Sequence, residues 1–102
     1  MKESQLVHWI ISYIQLKGHT AWRNNAGKIP LESNGKKRFI VIGQKGLPDV
    51  LGYTKDGHLI GIEAKIKPNK PSAIQQATID DMQAAGCIAA IVYSPEDMQK
   101  VL

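Results

Sequence analysis

The N-terminal segment repeats its apolar residues with the period of a helix. These positions are Leu6, Val7, Ile10, Ile11 and Ile14. Steps of three and four residues place side chains on one face of an α-helix, so residues 3–17 are predicted to form a helix with one buried stripe. Gly18 follows immediately and is a natural stop, because glycine readily adopts the left-handed conformation that ends many helices.

The pattern then changes to that of β-structure. Residues 21–23 are compatible with a short strand. The stretch from 24 to 37 is mostly polar and carries Pro30 and Gly35, so a loop is predicted there. Residues 39–42 are rich in β-branched side chains and are predicted to form a strand.

Two further strands are predicted around an Asp-Gly pair, the strongest short-range signal for a hairpin. They cover residues 49–53 and 58–65 and flank Asp56 and Gly57. In the second strand one face carries Ile60, Ile62 and Ala64, and the other carries Gly61, Glu63 and Lys65. The apolar set is expected to face the core, because side chains alternate between the two faces of a strand.

The C-terminal third predicts helix, strand, helix. Ser72 is a good N-cap for a helix that reaches about residue 85 and ends at Gly86. Its expected core residues are Ile74, Ala77, Ile79 and Met82. Residues 87–93 form a continuous apolar run, typical of a strand buried on both faces. Ser94 and Pro95 then begin a short helix that reaches Leu102.

The fold class that follows is α/β, a mixed central β-sheet flanked by helices. Counting the three well-marked strands of the middle section, the order is α-β-β-β-α-β-α. The helix between two predicted strands permits a parallel crossover. We find no repeat or linker, so residues 1–102 are expected to be one domain.

Composition excludes several protein classes. The chain has 102 residues, 43% of them hydrophobic and 22% charged, which argues against disorder. Its longest apolar run is far shorter than the roughly 20 residues of a membrane span. The single cysteine, Cys87, cannot form an internal disulfide or a zinc cluster. The polar N-terminus shows no secretory signal, so a cytoplasmic protein without a membrane partner is expected.

Positive charge is concentrated in the middle of the chain. Residues 28–70 hold nine cations and four acids, against a net charge of +4 for the whole chain. A basic face on a small domain suits a polyanion such as nucleic acid. Solubilising lysines on loops explain the same feature equally well.

The residues with the clearest chemistry are two acids on opposite limbs of the predicted hairpin. Asp49 and Glu63 are expected at neighbouring levels near its open end, with Lys65 on the same face as Glu63. Carboxylates, together with the carbonyl of Ala64, are the oxygen ligands that Mg²⁺ takes. A Glu-x-Lys on an exposed strand is common by itself, so the interpretation rests on the pieces occurring together.

These segments resemble the PD-(D/E)XK nucleases and, within them, the VRR-NUC (virus-type replication-repair nuclease) domain. The resemblance covers nearly the whole chain. Its segments are Glu3, Trp22 to Gly27 (Arg-x-Asn-x-Gly-like), Gly46-Leu47-Pro48-Asp49, Ile62-Glu63-Ala64-Lys65, and Ser72 to Gln75 with Gly86. Because Asn24 and Asn25 are adjacent, the sequence leaves open which of them aligns with the asparagine of the second segment.

The resemblance implies a DNA endonuclease dependent on Mg²⁺ or Mn²⁺. Its metal ligands would be Asp49, Glu63, Glu3 and the Ala64 carbonyl, with Lys65 as the catalytic lysine. Gln75 would complete the catalytic set, although the neighbouring Gln76 fits the spacing nearly as well. By analogy it also implies a homodimer, branched substrates such as Holliday junctions, and phage replication or DNA repair in a bacterial or phage-infected cell.

Contacts to nucleic acid outside the site are expected from Arg23, Lys36, Lys37, Arg38, Lys45 and Lys67. The alternative function is a non-catalytic module that binds nucleic acid through this basic face. Such a module would have no need for clustered acids facing phosphate.

Overall fold

The computed structural model describes residues 1–24, 28–41 and 46–102, and the side chains of 28–33 and 37–41 are outside the description. The elements in chain order are α1 (Glu3–Leu16), β1 (Thr20–Arg23), β2 (Lys28–Ser33), β3 (Lys36–Val41), β4 (Val50–Tyr53), β5 (Leu59–Ala64), α2 (Ala73–Ala84), β6 (Ile88–Val92) and α3 (Pro95–Val101). The α/β class with a mixed sheet flanked by helices is therefore confirmed. Within the described parts of the chain, no helix combines the length and apolar character that crossing a membrane requires.

The central sheet has the strand order β1-β4-β5-β6. The pairs β1–β4 and β4–β5 are antiparallel, whereas β5 and β6 run parallel and are joined through α2. The predicted hairpin at Asp56-Gly57 and the parallel crossover are both present. The open end of the hairpin lies beside the carboxyl end of β6, where the candidate site residues gather.

Helices cover the two faces of this sheet unequally. The stripe of α1 is buried as predicted and packs on the alternate residues of β5 that face it, together with α3. The opposite face of β5 and β6 is covered by α2. The side chain of Met82 in this helix packs directly over Gly61, which has no side chain to prevent the close approach. This second face is the one that carries Glu63.

The prediction of a loop over residues 24–37 is wrong for most of these residues. β2 lies within it and pairs antiparallel with β3, with Ser33 opposite Lys36. The turn is Asn34-Gly35, and both residues have positive φ, 53° and 73°. Asn-Gly is favoured in two-residue hairpin turns for this reason, but the polar composition of the flanking residues obscured the signal. Lys36, Lys37 and Arg38 consequently lie in β3 rather than in a loop before it.

Two other packing predictions need correction. Ile74 and Ala77 are exposed, whereas the other two predicted core residues of α2 are covered, Ile79 fully and Met82 by half. The helix therefore rests on the sheet through a narrower stripe than its apolar residues indicate. β6 is an edge strand, so several of its residues are only half-buried rather than enclosed on both faces. Cys87, just before it, is half-buried.

Candidate active site

Two carboxylates meet at the open end of the β4–β5 hairpin. The register pairs Val50 with Ile62, which places Asp49 opposite Glu63. The backbone N–H of Asp49 donates to Oε2 of Glu63 at 3.3 Å, and the N–H of Ala64 donates to Oδ2 of Asp49 at 3.1 Å. Each carboxylate is thus held by the backbone of the opposite strand, which fixes both side chains relative to the sheet.

Asn24 positions the backbone at Pro48 and Asp49. The sequence alone left open whether Asn24 or Asn25 is the asparagine of the family-like segment. Asn24 follows β1 and donates its side-chain N–H to the carbonyl of Pro48 at 3.2 Å. Its backbone N–H donates to the carbonyl of Asp49 at 2.7 Å. Asn24 therefore holds the Pro-Asp segment through the carbonyls of both of its residues. Asn25 lies outside the described residues. The Arg-x-Asn-like segment was the signal for this role.

Gln75 reaches the site from the first turn of α2. Its amide nitrogen donates to Oε1 of Glu63 at 3.0 Å, and its amide oxygen accepts from the N–H of Ser72 at 2.9 Å. The hydroxyl of Ser72 in turn accepts from the N–H of Gln75, which completes a capping box. Gln76 instead bonds the exposed Asp80. One side chain therefore caps the helix and orients Glu63.

Lys65 extends from the end of β5 on the same side as Glu63. Its ammonium nitrogen lies 3.6 Å from Oε1 of Glu63, and its side chain is only 16% exposed. The backbone N–H of Lys65 bonds the carbonyl of Val92, which continues the pairing of β5 with β6. The cation is consequently placed by the sheet, beside the carboxylates.

The surroundings of Glu63 disfavour its negative charge. The residue is 1% exposed, and this burial, followed by the nearby charge of Asp49, raises the pKa of Glu63 to about 8. The ammonium of Lys65 acts in the opposite direction and does not compensate. Two carboxylates held together in a buried place accumulate negative charge that a cation would neutralise.

This donor set suits a hard divalent cation, because carboxylate oxygens are the preferred ligands of Mg²⁺ and Mn²⁺. Across the described residues, no group of three or more His, Cys, Asp or Glu side chains is arranged to hold a metal ion. Glu3 is thus not brought to the pair formed by Asp49 and Glu63. Glu3 is half-exposed in the first turn of α1, where the positive end of the helix dipole favours an acidic side chain.

The expected nucleic-acid contacts are described only in part. Arg23 and Lys67 are exposed, and the ammonium of Lys67 lies 5.9 Å from the centre of the Tyr93 ring. Lys36 is exposed at the start of β3. The side chains of Lys37 and Arg38 are not described, and Lys45 lies outside the described residues.

Comparisons with known proteins define the fold. No protein-family model matches the sequence, and a search of curated proteins finds no significant match. Among solved structures, the chain is similar to one titled "VRR_NUC domain", with a TM-score of 0.67 and 18% sequence identity over 97% of this chain and 91% of that one. The chain therefore shares its mixed α/β architecture with that domain. More particularly, it has the VRR_NUC fold, which confirms the resemblance at the level of structure.

Proposed function

We propose that this protein is a nuclease that hydrolyses phosphodiester bonds with the help of Mg²⁺ or Mn²⁺. The observation that carries the proposal is the convergence of Asp49, Glu63, Lys65 and Gln75 at one end of the sheet, through contacts of 3.0–3.6 Å. The shared fold with a VRR_NUC domain supports the same activity. A purely structural role would not require two carboxylates and an ammonium in a largely buried place.

Asp49 and Glu63 would hold the cation, with the carbonyl of Ala64 as a further ligand and Glu3 as a ligand only if the N-terminal turn moves closer. When bound, the cation would lower the pKa of a water molecule and offset charge that develops on the phosphate. The opposing backbone N–H groups hold the two carboxylates on one side of the sheet edge before any substrate arrives. Such preorganisation limits the reorganisation needed during the reaction.

Lys65 is assigned to the water that attacks phosphorus. Its ammonium orients that water and stabilises the negative charge of the crowded phosphate. Gln75 keeps Oε1 of Glu63 in place and lies at the N-terminus of α2, where backbone N–H groups favour an anion. In the overall change, the oxygen of water bonds to phosphorus and the bond from phosphorus to one sugar oxygen breaks. The water loses a proton, and the departing oxygen gains one.

We extend the proposal to DNA as substrate, with branched forms such as Holliday junctions cut by a homodimer, in phage replication or DNA repair. This extension is supported by the family resemblance of the sequence. The exposed cations Arg23, Lys36 and Lys67 supply charge for the phosphate backbone, as do Lys37, Arg38 and Lys45 of the same basic section.

The testing experiment is a cleavage panel of linear, flapped and four-way DNA in Mg²⁺, in Mn²⁺ and in EDTA. We expect cutting in either metal and none in EDTA, with Glu63→Gln inactive. Glu96→Gln is the matched control, because Glu96 is exposed on α3 and should cut like the parent. Equal rates on all three substrates would reject the preference for branched DNA.

Persistent, salt-sensitive DNA binding without cutting in any metal would instead favour the non-catalytic module. Undiminished cutting by Glu63→Gln would reject the proposed mechanism.

A further inference from the structure

Two aromatic side chains are exposed on the central sheet. Trp22 of β1 is 44% exposed and Tyr53 of β4 is 50% exposed, and their ring centres lie 6.2 Å apart at an angle of 64°. Leu59, opposite Tyr53 on β5, is 45% exposed. Large apolar side chains that remain exposed together commonly mark a binding surface. We call Trp22 and Tyr53 the aromatic platform.

The platform lies on the same face of the sheet as the candidate active site. The register places Tyr53 opposite Leu59, which shares its face of β5 with Gly61 and Glu63. Trp22 is paired with Leu51, two residues before Tyr53 on that face. At about 3.3 Å per residue, Tyr53 lies about 13 Å along β4 from Asp49. A strand crossing the active site could therefore continue over the platform.

The helices leave this part of the face largely open, because α2 packs mainly on β5 and β6. Beside Tyr53 there is a concavity of about 340 Å³, also lined by Thr20, His19 and Lys55. Nδ1 of His19 accepts the backbone N–H of Lys55, so its proton lies on Nε2. The aromatic rings thus adjoin an ammonium and an imidazole N–H donor, groups suited to a phosphate.

We propose that the aromatic platform binds unpaired nucleotides of the strand on which the active site acts. This inference rests on the proposed function and narrows its branched substrates to those with a single-stranded segment, such as the flapped DNA of the cleavage panel, in preference to fully paired four-way junctions. Bases would stack on the rings of Trp22 and Tyr53, and Lys55 would contact a backbone phosphate. An intact duplex hides its base faces, so the platform distinguishes unpaired from paired strands.

The alternative occupant is a second copy of the chain. The cationic lining beside Tyr53 and the continuity with the acidic site favour a nucleic-acid strand. A platform used only for self-association would gain nothing from lying on the same face as Asp49 and Glu63.

The test measures binding separately from cutting. On the Glu63→Gln background in EDTA, fluorescence anisotropy gives the affinity for a labelled 12-residue oligothymidylate and for a 12-base-pair duplex. We expect Trp22→Ala and Tyr53→Ala each to weaken oligothymidylate binding by about 5- to 150-fold, the range of measured base–aromatic stacking. Duplex binding should change by less than about twofold, since its bases cannot reach the rings.

Two sets of variants guard against misfolding. Trp22→Phe and Tyr53→Phe retain a ring and should remain within about threefold of the parent. Leu16→Ala removes a side chain that is 87% exposed on α1, away from the platform, and should have no effect. Lys55→Gln should reduce the dependence of log affinity on log salt by about 0.7, the value of one phosphate contact on a single strand.

The inference is overturned if the alanine variants bind oligothymidylate like the parent, or if they lose duplex binding to the same extent. It is also overturned if sedimentation shows that Trp22→Ala dissociates a dimer while oligothymidylate affinity is unchanged. Failure of the proposed function is a different result, in which the parent cuts nothing in any metal although its strand binding still depends on Tyr53.

Discussion

The β4–β5 hairpin has two ends with opposite character on one face. At its open end, Asp49 and Glu63 bring negative charge into a largely buried place, held by backbone N–H groups and by Gln75. At its closed end, Tyr53 and Leu59 bring apolar surface into solvent beside the turn at Gly57. Each end thus departs from the usual rule that charges are exposed and apolar groups are buried.

The difference is produced mainly by one helix. α2 covers mainly the β5–β6 side of the face and shields Glu63, whereas Trp22 of β1 and Tyr53 of β4 remain exposed. The covered end therefore has the low solvent exposure that strengthens electrostatic interactions, and the uncovered end has the area that a flat ligand needs. We interpret the open end of the hairpin as the reaction site and the closed end as a binding surface for the substrate strand.

The largest effect should come from removing charge at the open end. Asp49→Ala and Lys65→Ala should each reduce the cleavage rate by at least about a thousandfold, since metal binding and charge stabilisation supply several kcal/mol. Lys100→Ala is the control for Lys65, because Lys100 is exposed in the last turn of α3 and has no assigned contact with nucleic acid. Single-turnover cleavage measures the rates, and thermal melts check the folds. A Lys65→Ala protein that cuts normally would contradict the assignment of Lys65.

The next effect concerns pH, and only the open end should show it. The pKa of Glu63 is about 8 in the folded protein and has a reference value of 4.5, so the folded state binds the proton more tightly. The contribution of Glu63 to stability without metal should therefore be fully present below pH 4.5 and be lost as the pH rises through 8. The loss attributable to Glu63 is on the order of 5 kcal/mol.

Urea unfolding in EDTA at several pH values, with Glu63→Gln as the comparison, measures this difference. The parent should lose stability relative to Glu63→Gln between pH 5 and 8.5, and Mn²⁺ should reduce that loss by favouring the ionised carboxylates. If the difference in free energy of unfolding between the two proteins stayed constant across this range, the surroundings of Glu63 would not raise its pKa.

A smaller effect should separate two neighbouring glutamines. Gln75→Ala removes both the bond to Glu63 and one half of the capping box, and we expect about a tenfold slower cleavage. Gln76→Ala removes only an exposed bond to Asp80 and should cut like the parent. Equal losses in the two variants would indicate that the helix, rather than the contact with Glu63, matters.

The smallest effect compares one glycine from each end. In Gly61→Ala the new Cβ would clash with the end of the Met82 side chain and lie 3.1 Å from Cγ of Pro48, so the Met82 side chain must move and Pro48 must give by a few tenths of an ångström. In Gly57→Ala the space is open, but φ of 89° strains an L-residue. Both variants should lose about 1–2 kcal/mol of stability. Only Gly61→Ala should also cut DNA more slowly. If Gly57→Ala reduced the cleavage rate equally, the proposed difference between the two ends of the hairpin would be contradicted.

Local signals predicted most of the fold. The buried stripe of α1, the Asp56-Gly57 turn and the Ser72 and Ser94 caps each depend on a few adjacent residues, and all are present. The Asn34-Gly35 turn was equally local, yet Pro30 and the lysines around it diverted the prediction to a loop. The exposure of Ile74 could not be predicted, because it depends on how far α2 reaches over the sheet.

The site was predictable to the extent that strand pairing decides it. A balanced hairpin around Asp56-Gly57 is sufficient to place Asp49 opposite Glu63. The choice of Gln75 over Gln76 depends on the rotation of α2, and the distance of Glu3 depends on how α1 docks, neither of which the residue spacing contains. The aromatic platform was also missed, since Trp22 and Tyr53 are far apart in sequence and meet only through the β1–β4 register.

The most direct test of the central claim is a calorimetric titration of Mn²⁺ at pH 8.5 into the parent, Asp49→Asn, Glu63→Gln and the control Glu96→Gln. The account predicts binding to the parent and to Glu96→Gln, and at least about tenfold weaker binding to the other two, because each loses one of the paired carboxylates. Equal affinity in all four proteins, or no binding to the parent, would contradict a cation site between these two strands.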